Sequence, residues 1–165
     1  MADLKAVVQA LELQRFDLLG HSMGGINAIV YAAQNPCHVR RLVIEDAGPG
    51  AFEASAGARR IRQEFATTPS RFDSWEQASD FMRGLRPTVT EEARQQRLRS
   101  MLKPLPDGGL TWRYDHVGIA RTRLAPDPAR VVDLAPYVSA IACETLVLRG
   151  GRSDYLQPEM VERMR

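Results

Sequence analysis

The segment Gly20-His21-Ser22-Met23-Gly24-Gly25 carries the strongest chemical signal in the chain. Within it, Gly20-x-Ser22-x-Gly24 sets one hydroxyl between two glycines. That spacing suits a serine nucleophile on a sharp strand-to-helix turn. Such a turn forces the serine into a strained backbone conformation. Side chains at positions 20 and 24 are expected to collide with the neighbouring strand or helix, and glycine at both relieves this. The hydroxyl then stands at the end of a strand and the start of a helix, where free N–H groups and the helix dipole favour developing negative charge. The Met23 backbone N–H is the expected oxyanion donor there. The competing reading is a structural turn serine, so the flanking elements decide between the two.

Those elements are legible. Phe16-Asp17-Leu18-Leu19 is an apolar run of strand length that leads directly into Gly20. From about Gly24 to Gln34 the sequence reads as a helix that is apolar nearly all round, hence buried. Asn35-Pro36 stops it. Arg41-Leu42-Val43-Ile44-Glu45 is a second strand, followed by the loop Asp46–Gly50. Strand, helix and strand at this spacing predict a βαβ unit with parallel strands covered on both faces. An amphipathic helix over residues 3–13, with Asp3 as its N-cap, precedes the unit.

From residue 51 the texture changes. Phe52–Phe65 reads as helical. Ser74-Trp75-Glu76-Gln77 is a capping box that opens a helix to about Gly84. Thr90–Lys103 reads as a charged helix, Pro104–Gly109 as a turn and Leu110–Tyr114 as a short extended piece, with a small helix around Ala129–Leu134. The stretch holds no buried strand by pattern and reads as a helical insertion over residues 51–136. Parallel-strand texture returns at Thr145–Arg149, continues into a Gly150–Asp154 loop, and is followed by a helix opening near Pro158. The expectation is an α/β chain with core segments 1–50 and 137–165 around that insertion.

Composition narrows the functional classes. The chain is 44% hydrophobic and 25% charged, as expected for a soluble globular protein. A net charge of +2 is too small to argue for nucleic acid. The arginine groups at 40–41, 59–62 and 94–99 have no interleaved aromatic residues and read as solvated helix faces. No run is long enough for a membrane span, and the N-terminal residues lack a signal pattern, so the default expectation is cytoplasmic. Cys37 and Cys143 form neither a disulfide framework nor a zinc motif and read as core or near-core residues.

Phe16–Gly25, the buried helix after it and Arg41-Leu42-Val43-Ile44 together resemble the α/β-hydrolase superfamily. The similarity is to its lid-bearing serine hydrolases, which include esterases, lactonases and carbon–carbon bond hydrolases. Cys143–Asp154 is similar to the strand and loop that present the family's catalytic acid. The resemblance implies a nucleophile at Ser22, an acid at Asp154 and a lid over residues 51–136. Asp46 is the alternative acid, because some members place it after that strand; Glu45 reads as a strand-end residue. A serine rather than an aspartate at position 22 sets the chain apart from relatives such as haloalkane dehalogenases and epoxide hydrolases. The implied substrate is a small ester, lactone, thioester or activated ketone, with no metal or organic cofactor required. Trp75, Phe81, Met82, Trp112 and Tyr114 are candidate pocket residues, with packing inside the lid as the competing role.

The implied triad lacks its base. The fold's chain order is serine, acid, histidine, and no histidine follows Asp154. His21 adjoins the nucleophile and reads as packing the substrate site, His38 follows the helix at its far end, and His116 lies in the lid. No His-Gly motif for a second oxyanion donor precedes Gly20 either. The resemblance therefore implies the middle of an enzyme, truncated at both ends, whose sheet edges would be open to self-association. A catalytically inactive remnant, or a ligand-binding or dimerising fragment, is the competing expectation.

Overall fold

The computed structural model describes residues 1–51, 55–127 and 131–165. They fall into two compact units, Met1–Arg60 with Val132–Arg165, and Ile61–Val131.

The first unit is built on a parallel sheet. Its strands are β1 (Phe16–His21), β2 (Val39–Glu45) and β6 (Glu144–Leu148), in the order β1-β2-β6. Helix α1 (Ala2–Ala10) precedes β1, and α2 (Met23–Gln34) makes the crossover to β2. α1 is shorter than its periodicity predicts, and Asp3 lies in the first turn rather than at the cap, which is Met1. In α2, Ala28, Ile29, Val30, Tyr31 and Ala32 are all buried, as an all-round apolar helix requires. They pack with Val39, Leu42 and Ile44 of β2 into one core that also takes in Leu134. Asn35 ends the helix, its amide donating to the Tyr31 carbonyl. The short α7 (Ala135–Ser139) closes against the same core through Tyr137 and Val138.

Register sorts the sheet's side chains onto two faces. Leu18, Leu42 and Thr145 align, as do Leu19, Val43 and Leu146 on the next row. Side chains alternate across a strand, so the second set lies on the face opposite Leu42. That face is open: Leu19 is 63% and Leu146 54% exposed. The expected cover on both faces is therefore present on one. At the polar end of the open face Arg41 pairs with Glu144, and at the strand margin Arg40 takes both carboxylate oxygens of Asp17.

The second unit contains α4 (Trp75–Leu85), α5 (Glu91–Met101) and α6 (His116–Leu124); α3 (Ala56–Thr67) runs into it from the first unit. The Ser74 capping box forms: its hydroxyl accepts from Gln77 N–H, and the Gln77 side chain accepts from Asp73 N–H. The short extended piece expected at Leu110–Tyr114 is part of a sheet, and the expectation that this stretch holds no buried strand needs correction. Strands β3 (Arg71–Phe72), β4 (Leu102–Pro104) and β5 (Leu110–Trp112) form an antiparallel sheet in the order β3-β5-β4. Residues 102–104, expected at a helix end, pair instead with β5. Phe72, Ala78, Met82, Leu98, Leu102 and Trp112 make the unit's core. Ala129–Leu134 was expected to be helical; residues 129 and 130 lie outside the described residues, and Leu134 caps α7. The expected helical start at Phe52 also lies outside them, and α3 begins at Ala56.

Two surface expectations fail. Cys37 is exposed rather than core, while Cys143 is half-buried. Arg94, assigned to a solvated face, is 5% exposed and is held by the Val89 carbonyl and Glu91. No helix among the described residues is long and apolar enough to cross a membrane.

Candidate active site

β1 ends at His21, and α2 begins at Met23, leaving a single residue for the reversal. Ser22 makes it with φ +51° and ψ −118°, a left-handed backbone that non-glycine residues rarely adopt. Two hydrogen bonds hold it there. Its N–H donates to the Glu45 carbonyl of β2 (2.9 Å), and its carbonyl accepts the first helical bond, from Ile26 N–H (3.1 Å). Strain of this sort costs roughly 1–3 kcal/mol and persists only where the surroundings over-determine it.

The glycines explain how the bend closes, with one correction. A Cβ at Gly20 would lie 2.8 Å from the Ala28 Cβ and overlap the Gly24 carbonyl. At Gly24, by contrast, a Cβ would meet nothing within 4 Å. The second close approach falls at Gly25, where a Cβ would sit 2.6 Å from the Ala47 Cβ and 3.1 Å from the Gly20 carbonyl oxygen. The motif's spacing marks 20 and 24; packing demands 20 and 25.

Parallel strands bring their C-terminal ends to one edge. His21, Glu45 and Leu148 are in register, so Ser22, Asp46 and the loop after β6 share it. Asp46 also has a positive φ of +51°; its N–H donates to the Leu148 carbonyl. Its Oδ2 accepts from the Ser153 hydroxyl at 2.9 Å, while its buried Oδ1 has no partner among the described residues.

The loop after β6 is tightly organised. The Arg149 guanidinium donates to the carbonyls of Gly150, Ser153 and Leu156. The Ser153 hydroxyl accepts from the N–H groups of Tyr155 and Leu156. Asp154 is held from α3: its carbonyl accepts from Gly57 N–H at 2.7 Å, and Arg60 donates to both carboxylate oxygens at 2.8 and 2.9 Å. The Arg60 hydrogen bonds hold the Asp154 carboxyl below the usual carboxylate range, against a smaller opposing effect of burial. Gly57 permits the approach, since a Cβ there would lie 2.7 Å from Asp154 Oδ1.

The three histidines belong to different elements. His21 is exposed at the end of β1. His38 lies at the opposite end of the strands, its carbonyl accepting from Phe16 N–H and its Nδ1 3.3 Å from the Tyr31 hydroxyl. His116 belongs to the second unit, where it is buried with Nε2 3.2 Å from the Thr68 carbonyl. Trp75 donates to Gln95 between α4 and α5, and Trp112 is buried in that unit's core with its indole N–H on the Pro69 carbonyl. Among the described residues, no group of three or more His, Cys, Asp or Glu could hold a metal ion.

Sequence reasoning missed Arg60, Arg149, Ser153, Gly25 and Gly57. Gly25 was visible as a third glycine of the motif. Arg60 stood in a run of arginines read as surface, and its partner lies 94 positions away.

Comparison with known proteins places this geometry. A family model described as the alpha/beta hydrolase fold matches residues 1–115. A 2-hydroxy-6-oxononadienedioate/2-hydroxy-6-oxononatrienedioate hydrolase of Paraburkholderia xenovorans is 28% identical over 159 residues, covering 94% of this chain and 51% of that protein. A 3-hydroxybutyrate-oligomer hydrolase of Cupriavidus necator is 27% identical over 173 residues, covering 99% and 58%. Among solved structures, E-2-(acetamidomethylene)succinate hydrolase superposes with a TM-score of 0.77 at 22% identity, over 99% of this chain and 58% of the other. The chain thus spans about half the length of the curated relatives it matches. The parallel sheet with a one-residue bend at Ser22 and the family match together establish that this chain belongs to the alpha/beta hydrolase fold family.

Proposed function

We propose that Ser22 is the nucleophile of a hydrolase acting on a small carbonyl substrate: an ester, lactone, thioester or activated ketone. The observation that carries the reading is the strained conformation of Ser22 on a bend cleared by Gly20 and Gly25. Nothing in sheet or helix formation requires such a residue, so the strain points to chemistry at the hydroxyl. Asp154 is the acid, and its contact with Arg60 further favours the carboxylate form. The base is a histidine other than His21, His38 and His116. In the first step the Ser22 oxygen bonds to the carbonyl carbon while its proton passes to that base. The resulting oxyanion is stabilised at the start of α2, with Met23 N–H as one donor. Collapse expels the leaving group, which takes up the proton, and water then releases the acyl group from Ser22. The substrates after which the two relatives are named, a 2-hydroxy-6-oxononadienedioate and a 3-hydroxybutyrate oligomer, fall within this class.

A second reading has its own support. Arg60 occupies both Asp154 oxygens, and of the first unit's two histidines only His21 lies at the Ser22 edge of the sheet. An inactive remnant, or a ligand-binding or dimerising fragment, fits that arrangement. Fluorophosphonate labelling separates the two. The 165-residue chain is expected to label weakly or not at all, and the protein as its own cells make it strongly, with labelling lost in Ser22→Ala. Absence of labelling in both would favour the remnant. Strong labelling of the chain alone would place the base within it.

A further inference from the structure

We propose that the Ile61–Val131 unit binds a single-ring hydroxylated aromatic carboxylate in a cavity of its own, independently of Ser22. The cavity has a volume of about 200 Å³, and every residue lining it lies between Glu64 and His116. An apolar cavity of roughly 150 Å³ accommodates benzene, so this one suits a ring with one or two small substituents. Phe65, Phe81, Trp112 and Tyr114 contribute aromatic walls. Phe65 stacks on the His116 ring at a centroid distance of 5.9 Å, Trp112 is tilted against it at 5.7 Å, and Tyr114 meets it edge-on at 6.0 Å.

Two polar features define the ligand. The first is His116 itself, which lines the cavity and is 6% exposed. Its Nε2 faces the Thr68 carbonyl, which can only accept, so Nε2 carries the hydrogen. In the neutral ring Nδ1 is then an acceptor, and it is buried with no partner among the described residues. A ligand hydroxyl would supply the missing donor. Leaving such an atom unpaired forfeits its hydration with nothing in return. The second feature is charge. Arg86 and Glu64, both on the wall, neutralise each other through two hydrogen bonds of 3.0 and 2.7 Å. Arg97 also lines the cavity, at an exposed position, and has no carboxylate partner among the described residues. It leaves the cavity a net cation, which selects an anion.

The test is an NMR titration of the whole chain with 4-hydroxybenzoate, benzoate, phenol and toluene, following the Trp112 indole and the His116 ring. Expected is tightest binding of 4-hydroxybenzoate, with toluene weakest. His116→Phe keeps the ring but removes the acceptor, and should weaken 4-hydroxybenzoate about tenfold while sparing benzoate. Arg97→Gln, an exposed change that does not threaten folding, should weaken both carboxylates several-fold and spare phenol. Ser22→Ala should alter none of these, so the result stands apart from any outcome at the nucleophile. No shift at millimolar ligand, toluene binding as tightly as 4-hydroxybenzoate, or Arg97→Gln weakening phenol and benzoate alike would overturn the proposal.

Discussion

Two glycines of one motif, Gly20 and Gly24, should respond to the same substitution with opposite signs. Gly20→Ala puts a methyl against the Gly24 carbonyl and 2.8 Å from the Ala28 Cβ, in a buried junction with no slack. Overpacking of this kind costs about 1–3 kcal/mol, and the upper half of that range applies because backbone, not a flexible side chain, must move. Gly24→Ala meets open space on the first turn of α2. There alanine gains up to about 1 kcal/mol over glycine by restricting the unfolded chain. The two variants should therefore differ by roughly 2–4 kcal/mol, which separates their thermal midpoints by about 10 °C in a chain of this size. Far-UV circular dichroism melts of the two variants and wild type measure it directly. Gly25→Ala, 2.6 Å from the Ala47 Cβ, should fall with Gly20→Ala. If Gly24→Ala lowered the midpoint as far as Gly20→Ala, the bend would not be packed as described, and the account of Ser22 would lose its physical basis.

Three further outcomes follow from the same edge of the sheet. Ser22→Gly should be more stable than Ser22→Ala by about 1 kcal/mol, because only glycine relaxes at φ +51°, and paired urea melts would show it. Gly57→Ala, with its methyl 2.7 Å from Asp154 Oδ1 and 2.8 Å from the Tyr155 backbone, should displace the loop after β6 and destabilise the chain by about 1–3 kcal/mol; unchanged amide shifts at Ser153–Leu156 would contradict this. Arg60→Met should lower stability at neutral pH by no more than about 1 kcal/mol, since Asp154 is 39% exposed and the pair is screened. Asp154 binds its proton less readily folded than unfolded, so that increment exists above the ordinary carboxylate pKa and vanishes as pH falls through the depressed one. Urea midpoints of the two proteins should accordingly converge in acid; a gap that widened there would reverse the assignment.

What could be read from the sequence was local. β1, α2, β2 and β6 announce themselves through contiguous apolar runs, and Gly20, Pro36 and Pro158 punctuate them. The strand-to-helix bend at Ser22 followed from that context. The β3-β5-β4 sheet did not, because strands of two or three residues carry no period. α6 escaped notice since Val117 and Ile119 are exposed, leaving little amphipathic signal. The open sheet face was concealed by the same leucines that suggested double cover. Partners far apart in sequence were the least visible: Arg60 with Asp154, and Ser153 with Asp46 across 107 positions. Whether an arginine is solvated or clamps an acid depends on where the chain returns, and composition does not encode that.

The late arrival of β6 also has a kinetic side. To reach β2, this last strand must close a loop of roughly 100 residues, most of them in the intervening antiparallel unit. If that unit condenses early, the chain left free to fluctuate shrinks to roughly 30 residues, easing closure by about 1 kcal/mol. Its interior would then set the tempo at which the parallel sheet assembles. Leu98→Ala, at a fully buried position, should slow the refolding of the whole chain, whereas an unaltered refolding rate would mean that the sheet assembles first.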